Sequence, residues 1–125
     1  MTTALWCVLI AAFLPYVAAF VAKGGDRSFD NNDPRAWIAK QGGLRARANA
    51  AQQNSFEAFP FFAVAVLVAH MLRGPQSQVD MLAMLFIAAR VVYLGVYLAG
   101  IGWLRSLVWV VAMVATVWIF VVAAR

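Results

Sequence analysis

Four long apolar stretches, Leu5 to Ala22, Phe56 to Leu72, Met81 to Ala99 and Leu104 to Ala124, alternate with shorter polar ones. A bilayer core about 30 Å thick needs about 20 mostly apolar residues per helix, so each stretch predicts a membrane-crossing helix. Pro15 falls inside the first and is expected to bend it, with neighbouring helices satisfying the freed carbonyl. After Ala22 the chain turns polar, and its Gly, Asp and Asn residues predict a loop ending at Asp33 as N-cap, with Pro34 at the first helical position. A short interfacial helix follows, with Trp37 and Ile38 expected at headgroup level and Gly42 and Gly43 interrupting it. From Leu44 to Leu72 the pattern is helical and longer than the bilayer is thick, so roughly two or three turns project from it. Arg73, Gly74 and Pro75 predict its end, with Gly74 as the cap. Ser77 and Asp80 predict a capping motif for the next helix, and Gly100-Ile101-Gly102 a tight turn before the last.

Composition agrees with this pattern. Of 125 residues, 65% are hydrophobic and 12% charged, and the mean hydropathy is +0.80. A soluble domain of that composition would aggregate. The expected fold is an all-α integral membrane four-helix bundle forming one domain over residues 1–125. No Lys or Arg precedes Leu5, and Ala18-Ala19 runs directly into more apolar sequence, so the first stretch reads as a retained helix and not a cleaved signal.

Basic residues set the expected orientation. Lys23, Arg27, Arg35, Lys40, Arg45 and Arg47 fall in the first connection and Arg105 in the third, against Arg73 and Arg125 on the other side. By the positive-inside rule, the first loop is cytoplasmic and both termini are outside. The net charge of +5 reflects this bias and an attraction to anionic headgroups. No basic patch interleaved with aromatics points to nucleic acid.

The polar residues within the spans are the candidate chemistry. At 100° per residue, Arg47, Asn54 and Glu57 share an arc about 80° wide, and Arg90, Tyr93 and Tyr97 one about 60° wide. A carboxylate facing lipid at mid-helix costs about 2.5–3.5 kcal/mol. Glu57 is therefore expected to point into the bundle, with Arg90 as its first candidate partner. Two readings of that pair stay open: an ion pair that locks helix packing, or part of a ligand cradle. Tyr97 also reads as an interfacial anchor. Pro60 frees the carbonyl of Phe56, which can kink the helix or expose an acceptor. Cys7 has no activating neighbour and reads as packing, and His70 lacks a second ligand at helical spacing, so no metal site is expected. Small residues such as Ala11, Ala12, Ala88, Ala89, Gly95 and Ala99 permit close helix approach within or between subunits.

The run RARANAAQQNSFEAFPFF, Arg45 to Phe62, resembles the second-helix signature of the MAPEG superfamily, the membrane-associated proteins in eicosanoid and glutathione metabolism: an Arg, then Asn-x-x-Glu-x-x-Pro, met by Asn54, Glu57 and Pro60. The run ARVVYLGVYLAGIGWLRSLVW, Ala89 to Trp109, is similar to the second family block, with Arg90, Tyr97 and Arg105-Ser106 in order. The resemblance spans essentially the whole chain. It implies a left-handed or near-parallel bundle forming a homotrimer, with glutathione as co-substrate at the cytoplasmic end between subunits. Arg47, Asn54 and Glu57 would hold the charged ends of the peptide, while Gln52 and Gln53, which depart from the family pattern, remain able to hydrogen-bond an amide-rich ligand. Arg90, Tyr93 and Tyr97 would line the pocket, and Arg105 or Ser106 would face the thiol. A cation beside a thiol of pKa ~8.5 stabilises its thiolate, which favours Arg105.

The chain departs from that pattern in places. Ala50 and Gln53 stand where glutathione-conjugating members carry basic residues, Gln52 where they carry His, Tyr93 where some carry His, and Trp109 near a position that is often Tyr. This resembles a divergent bacterial-type branch, which implies the bacterial inner membrane. The function that the resemblance implies is a glutathione-dependent transferase or peroxidase-like activity on lipophilic electrophiles entering from the membrane lipid. The alternative is a non-catalytic lipid-binding or scaffold protein of the same fold.

Overall fold

The computed structural model describes every residue from Met1 to Arg125. It contains five helices: α1 (Thr3–Lys23), α2 (Pro34–Ala39), α3 (Gly43–Met71), α4 (Gln76–Ala99) and α5 (Gly102–Ala123). All but α2 are long and apolar enough to cross a membrane. The loop end of the bundle carries the α1–α3 and α4–α5 connections. The terminal end carries Met1, Arg125 and the α3–α4 turn.

The packing follows from small residues at helical spacing. The face α1 buries is Ala4, Cys7, Ala11, Pro15, Ala18 and Ala22, a three-and-four spacing that lets it lie closely on α3. Its other neighbour is α4, whereas α5 packs on α4 and α3. Helices α3 and α4 thus form the short diagonal of the bundle. At its centre the Phe62 and Phe86 rings stack with centroids 3.8 Å apart. The α-helix runs unbroken through Pro15 and Pro60.

The loop end folds on itself. Asp33 caps α2 by accepting from the Ala36 N–H, with Pro34 at the first helical position, as expected. Trp37, expected at headgroup level, is buried against the chain itself: it meets Phe29 edge-on and donates to the Ser28 hydroxyl at 3.2 Å. The Arg45 guanidinium lies over the same indole and donates to the Ala22 carbonyl at the end of α1. It also makes the chain's one ion pair, with Asp26 at 4.0 Å. Hydrogen bonds from the Ser28 amide and hydroxyl hold the Asp26 carboxyl below the usual carboxylate range, with a smaller contribution from Arg45.

Two predicted caps at the terminal end are placed differently. The left-handed residue after α3 is Arg73, with φ 56°, and not Gly74. The Arg73 and Gly74 amides bond back to His70 and Ala69, the pattern of a Schellman ending. Gly74 serves another contact, since a Cβ there would lie a tight 3.2 Å from the Ala123 Cα. The Ser77–Asp80 motif does not cap α4. Asp80 instead accepts from the Ala4 N–H at 2.8 Å, so the carboxylate of α4 serves the N-terminus of α1, where a negative charge is favourable. Near the same helix start, His70 Nδ1 donates to the Val66 carbonyl at 2.7 Å, and its Nε2 and the Thr2 hydroxyl share a hydrogen bond at 2.8 Å.

Candidate functional site

The polar loop half of α3 matches the length of that helix, which exceeds the thickness of a bilayer core. Its 29 residues span about 43 Å at 1.5 Å each, against a core of about 30 Å. Near the loop end, Arg47 donates from Nε to the Leu98 carbonyl at 3.1 Å. It thereby satisfies one of the free carbonyls closing α4, lying against Gly100, whose φ of 77° makes the turn into α5. Two turns deeper, Asn54 holds its Oδ1 buried with no donor within the chain.

Glu57 is at the midpoint of α3 and exposed on the single chain. The expected pair with Arg90 is absent: Glu57 makes no ion pair, and Arg90 turns to Ser55. Arg90 is 3% exposed and donates to the Ser55 hydroxyl at 3.3 Å, while that hydroxyl donates to the Ala51 carbonyl at 2.8 Å. Ser55 lies between Asn54 and Glu57 in sequence but about 100° and 160° from them around α3, so the polar face gave no signal for this contact.

The four side chains Arg90, Tyr93, Tyr97 and Arg105 form a row in which each cation lies over one tyrosine and the two rings meet edge to face. The Arg90 guanidinium carbon is 4.2 Å from the Tyr93 ring centroid, the two tyrosine rings meet edge-on at 5.6 Å, and Arg105 lies 4.5 Å over Tyr97. Aromatic faces hold both cations through the ring quadrupole. Arg90 spends one N–H on Ser55, Arg105 makes no side-chain hydrogen bond, and no carboxylate of the chain lies within 4.0 Å of either guanidinium. Ser106 donates its hydroxyl proton to the Gly102 carbonyl at 3.2 Å. Of the two neighbours, Arg105 is therefore the one with uncommitted donors.

Trp109 joins these groups spatially. It lines a cavity of about 390 Å³ with Tyr93, Arg105 and Ser106, one of about 130 Å³ with Asn54 and Glu57, and a small one with Arg90 and Thr116. The largest of the three has the size of a small-molecule site. Gln53 does not line these three cavities; it lines a separate one with Gln52, although it lies only about 40° from Glu57 around α3.

The MAPEG family pattern matches residues 3–125. The chain belongs to the MAPEG family. No curated protein and no solved structure matches it. As a MAPEG protein, it is a multi-pass integral membrane protein from a family of glutathione and eicosanoid metabolism. Glutathione is a peptide with two carboxylates, an ammonium group and amide N–H groups. Against such a molecule, the chain leaves the buried Asn54 oxygen without a donor, and Arg90 and Arg105 with no carboxylate within 4.0 Å.

Proposed function

We propose that this protein is a glutathione-dependent transferase or peroxidase-like enzyme acting on lipophilic electrophiles. The observation that carries the reading is the Arg90–Tyr93–Tyr97–Arg105 row, which holds two cations without a carboxylate of their own. Glutathione carboxylates would neutralise this charge, and Asn54 and Glu57 would take the amide and ammonium donors. Arg105 would stabilise the thiolate. The thiolate sulfur then forms a bond to an electrophilic carbon, whose leaving group departs with the bonding pair. With a hydroperoxide, two glutathiones would give their disulfide, an alcohol and water.

The active assembly is a homotrimer. Glu57, exposed at mid-helix on one chain, would cost about 2.5–3.5 kcal/mol against lipid, which supports a second subunit covering it. The apolar surface of α5 around Trp109 offers the acceptor substrate a lateral route from the bilayer. The basic first loop supports a cytoplasmic site, with both termini outside and the bacterial inner membrane as the location.

The test is ultraviolet detection of glutathione thiolate on the detergent-purified protein. Wild type should produce the thiolate band near neutral pH and Arg105→Ala should lose it, with Ser106→Ala much less affected. An undiminished band in Arg105→Ala would overturn the assignment of Arg105.

A further inference from the structure

Two arginines of α3 serve the closing carbonyls of two other helices. Arg45 donates to the Ala22 carbonyl at the end of α1 at 3.1 Å. Arg47, two residues on and so about 160° away around α3, donates from Nε to the Leu98 carbonyl at the end of α4 at 3.1 Å. The last carbonyls of a helix lack intrahelical donors and carry partial negative charge, so a cation is favoured at both places.

The α4–α5 turn leaves the Leu98 carbonyl to Arg47. The Gly100 and Ile101 amides bond back to the Tyr97 and Val96 carbonyls, which closes α4 around Gly100 at φ 77° and gives Leu98 no backbone donor. The Arg47 side chain lies along the same turn, where a Cβ on Gly100 would be 3.7 Å from its Nε and 3.9 Å from its Cδ and Cζ. The Ser106 bond to the Gly102 carbonyl stays within α5, so Arg47 makes the one side-chain hydrogen bond that reaches residues 98–102 from another helix.

The two sides of this turn carry one contact of the candidate site. Only Gly100 and Ile101 separate α4 from α5. Tyr97 directly precedes Leu98, and Arg105 lies in the first turn of α5, where its amide bonds to the Ile101 carbonyl. Their side chains meet across the turn, with the Arg105 guanidinium carbon 4.5 Å from the Tyr97 ring centroid. The placement of Arg105 over Tyr97 therefore depends on the shape of the turn, and Arg47 fixes that turn to a third helix.

We propose that Arg47 is a positioning residue for Arg105. It acts through the Leu98 carbonyl, holding the α4–α5 turn so that the Arg105 guanidinium stays over Tyr97 and beside the thiol. This rests on the reading of Arg105 as the thiolate-stabilising group, and it replaces the expected place of Arg47 at the charged ends of the peptide. The two roles ask for different chemistry. Holding a carboxylate needs charge, whereas holding the turn needs an N–H where Arg47 Nε now stands. Glutamine carries its amide nitrogen the same number of bonds from Cα without charge; lysine puts a methylene there and its ammonium one atom further out.

The experiment compares detergent-purified wild type with Arg47→Gln, Arg47→Lys and Arg47→Met. It reads the glutathione thiolate band against pH and, without glutathione, amide hydrogen exchange across residues 98–105. Arg47→Met and Arg47→Lys should raise the midpoint of thiolate formation by about one unit, toward the free thiol value of about 8.5, with glutathione affinity little changed. In the same two variants the Ile101 and Arg105 amides should exchange about tenfold faster. Arg47→Gln should match wild type in both. The absence of a thiolate in wild type would count against the glutathione reading, and the exchange rates would still decide the clamp. Unchanged thiolate formation and exchange in Arg47→Met, or properties kept by Arg47→Lys and lost in Arg47→Gln, would overturn the proposal.

Discussion

Arg90 donates to the Ser55 hydroxyl, and that hydroxyl in turn donates a hydrogen bond to the Ala51 carbonyl one turn back along α3. A buried cation on α4 is thus tied to the backbone of α3 through a single oxygen. Removing that oxygen leaves a guanidinium N–H without its protein acceptor in a site 3% exposed. Ser55→Ala is expected to destabilise the protein by about 1–3 kcal/mol. Thermal unfolding in detergent, followed by circular dichroism, measures this; an unchanged midpoint would show that the contact carries no weight.

Asp80 holds the start of α1 from α4. Asp80→Ala removes the acceptor of the Ala4 N–H and a negative charge at a helix N-terminus, and should cost about 1–2 kcal/mol. Its signature is local: faster hydrogen exchange at Ala4 and Leu5, with the loop end unaffected.

The close of α3 has a residue poorly suited to its backbone. Arg73 adopts φ 56°, a conformation that costs a side-chain-bearing residue about 1–2 kcal/mol. Glycine relieves that cost but adds about 0.4–1 kcal/mol of unfolded-state entropy, so Arg73→Gly should stabilise by about 0.5–1 kcal/mol. Gly74→Ala should do the opposite, because its Cβ would press on the Ala123 backbone at 3.2 Å. The two unfolding midpoints should move in opposite directions.

Acid should loosen the first loop. The pKa of Asp26 is lowered by its bonds to Ser28 and less by Arg45. The carboxylate therefore contributes fully above its unfolded pKa, and that contribution is lost as pH falls through the depressed folded value. Amide exchange at Ser28 should accelerate below the ordinary carboxylate range, and Asp26→Asn should remove this dependence.

Much of the fold was legible because apolar run length, proline and glycine are local signals. Asp33 with Pro34 started α2, and Gly100 ended α4, where the pattern placed them. The polar pairings were less legible, since helical spacing assigns a residue to a face but not to a partner. Arg90 found Ser55, and Glu57 remained on the outside of the single chain. Asp80 had the sequence of a local cap, yet tertiary packing brought it to the free N–H of α1. Trp37 had the composition of a membrane anchor and was instead covered by Phe29 and Arg45. Gln53 adjoins Asn54 in sequence, but the 100° step between neighbours turned it to the other cavity.

The most direct test of the glutathione reading is calorimetric titration of detergent-purified protein with glutathione, comparing wild type with Arg90→Met. Methionine removes the buried charge while filling much of its space, and no ion-pair partner within the chain is left stranded, so the variant should stay folded. Saturable binding by wild type that is lost in a folded Arg90→Met is the predicted result. No binding by wild type at millimolar glutathione, or equal binding by both proteins, would contradict the account.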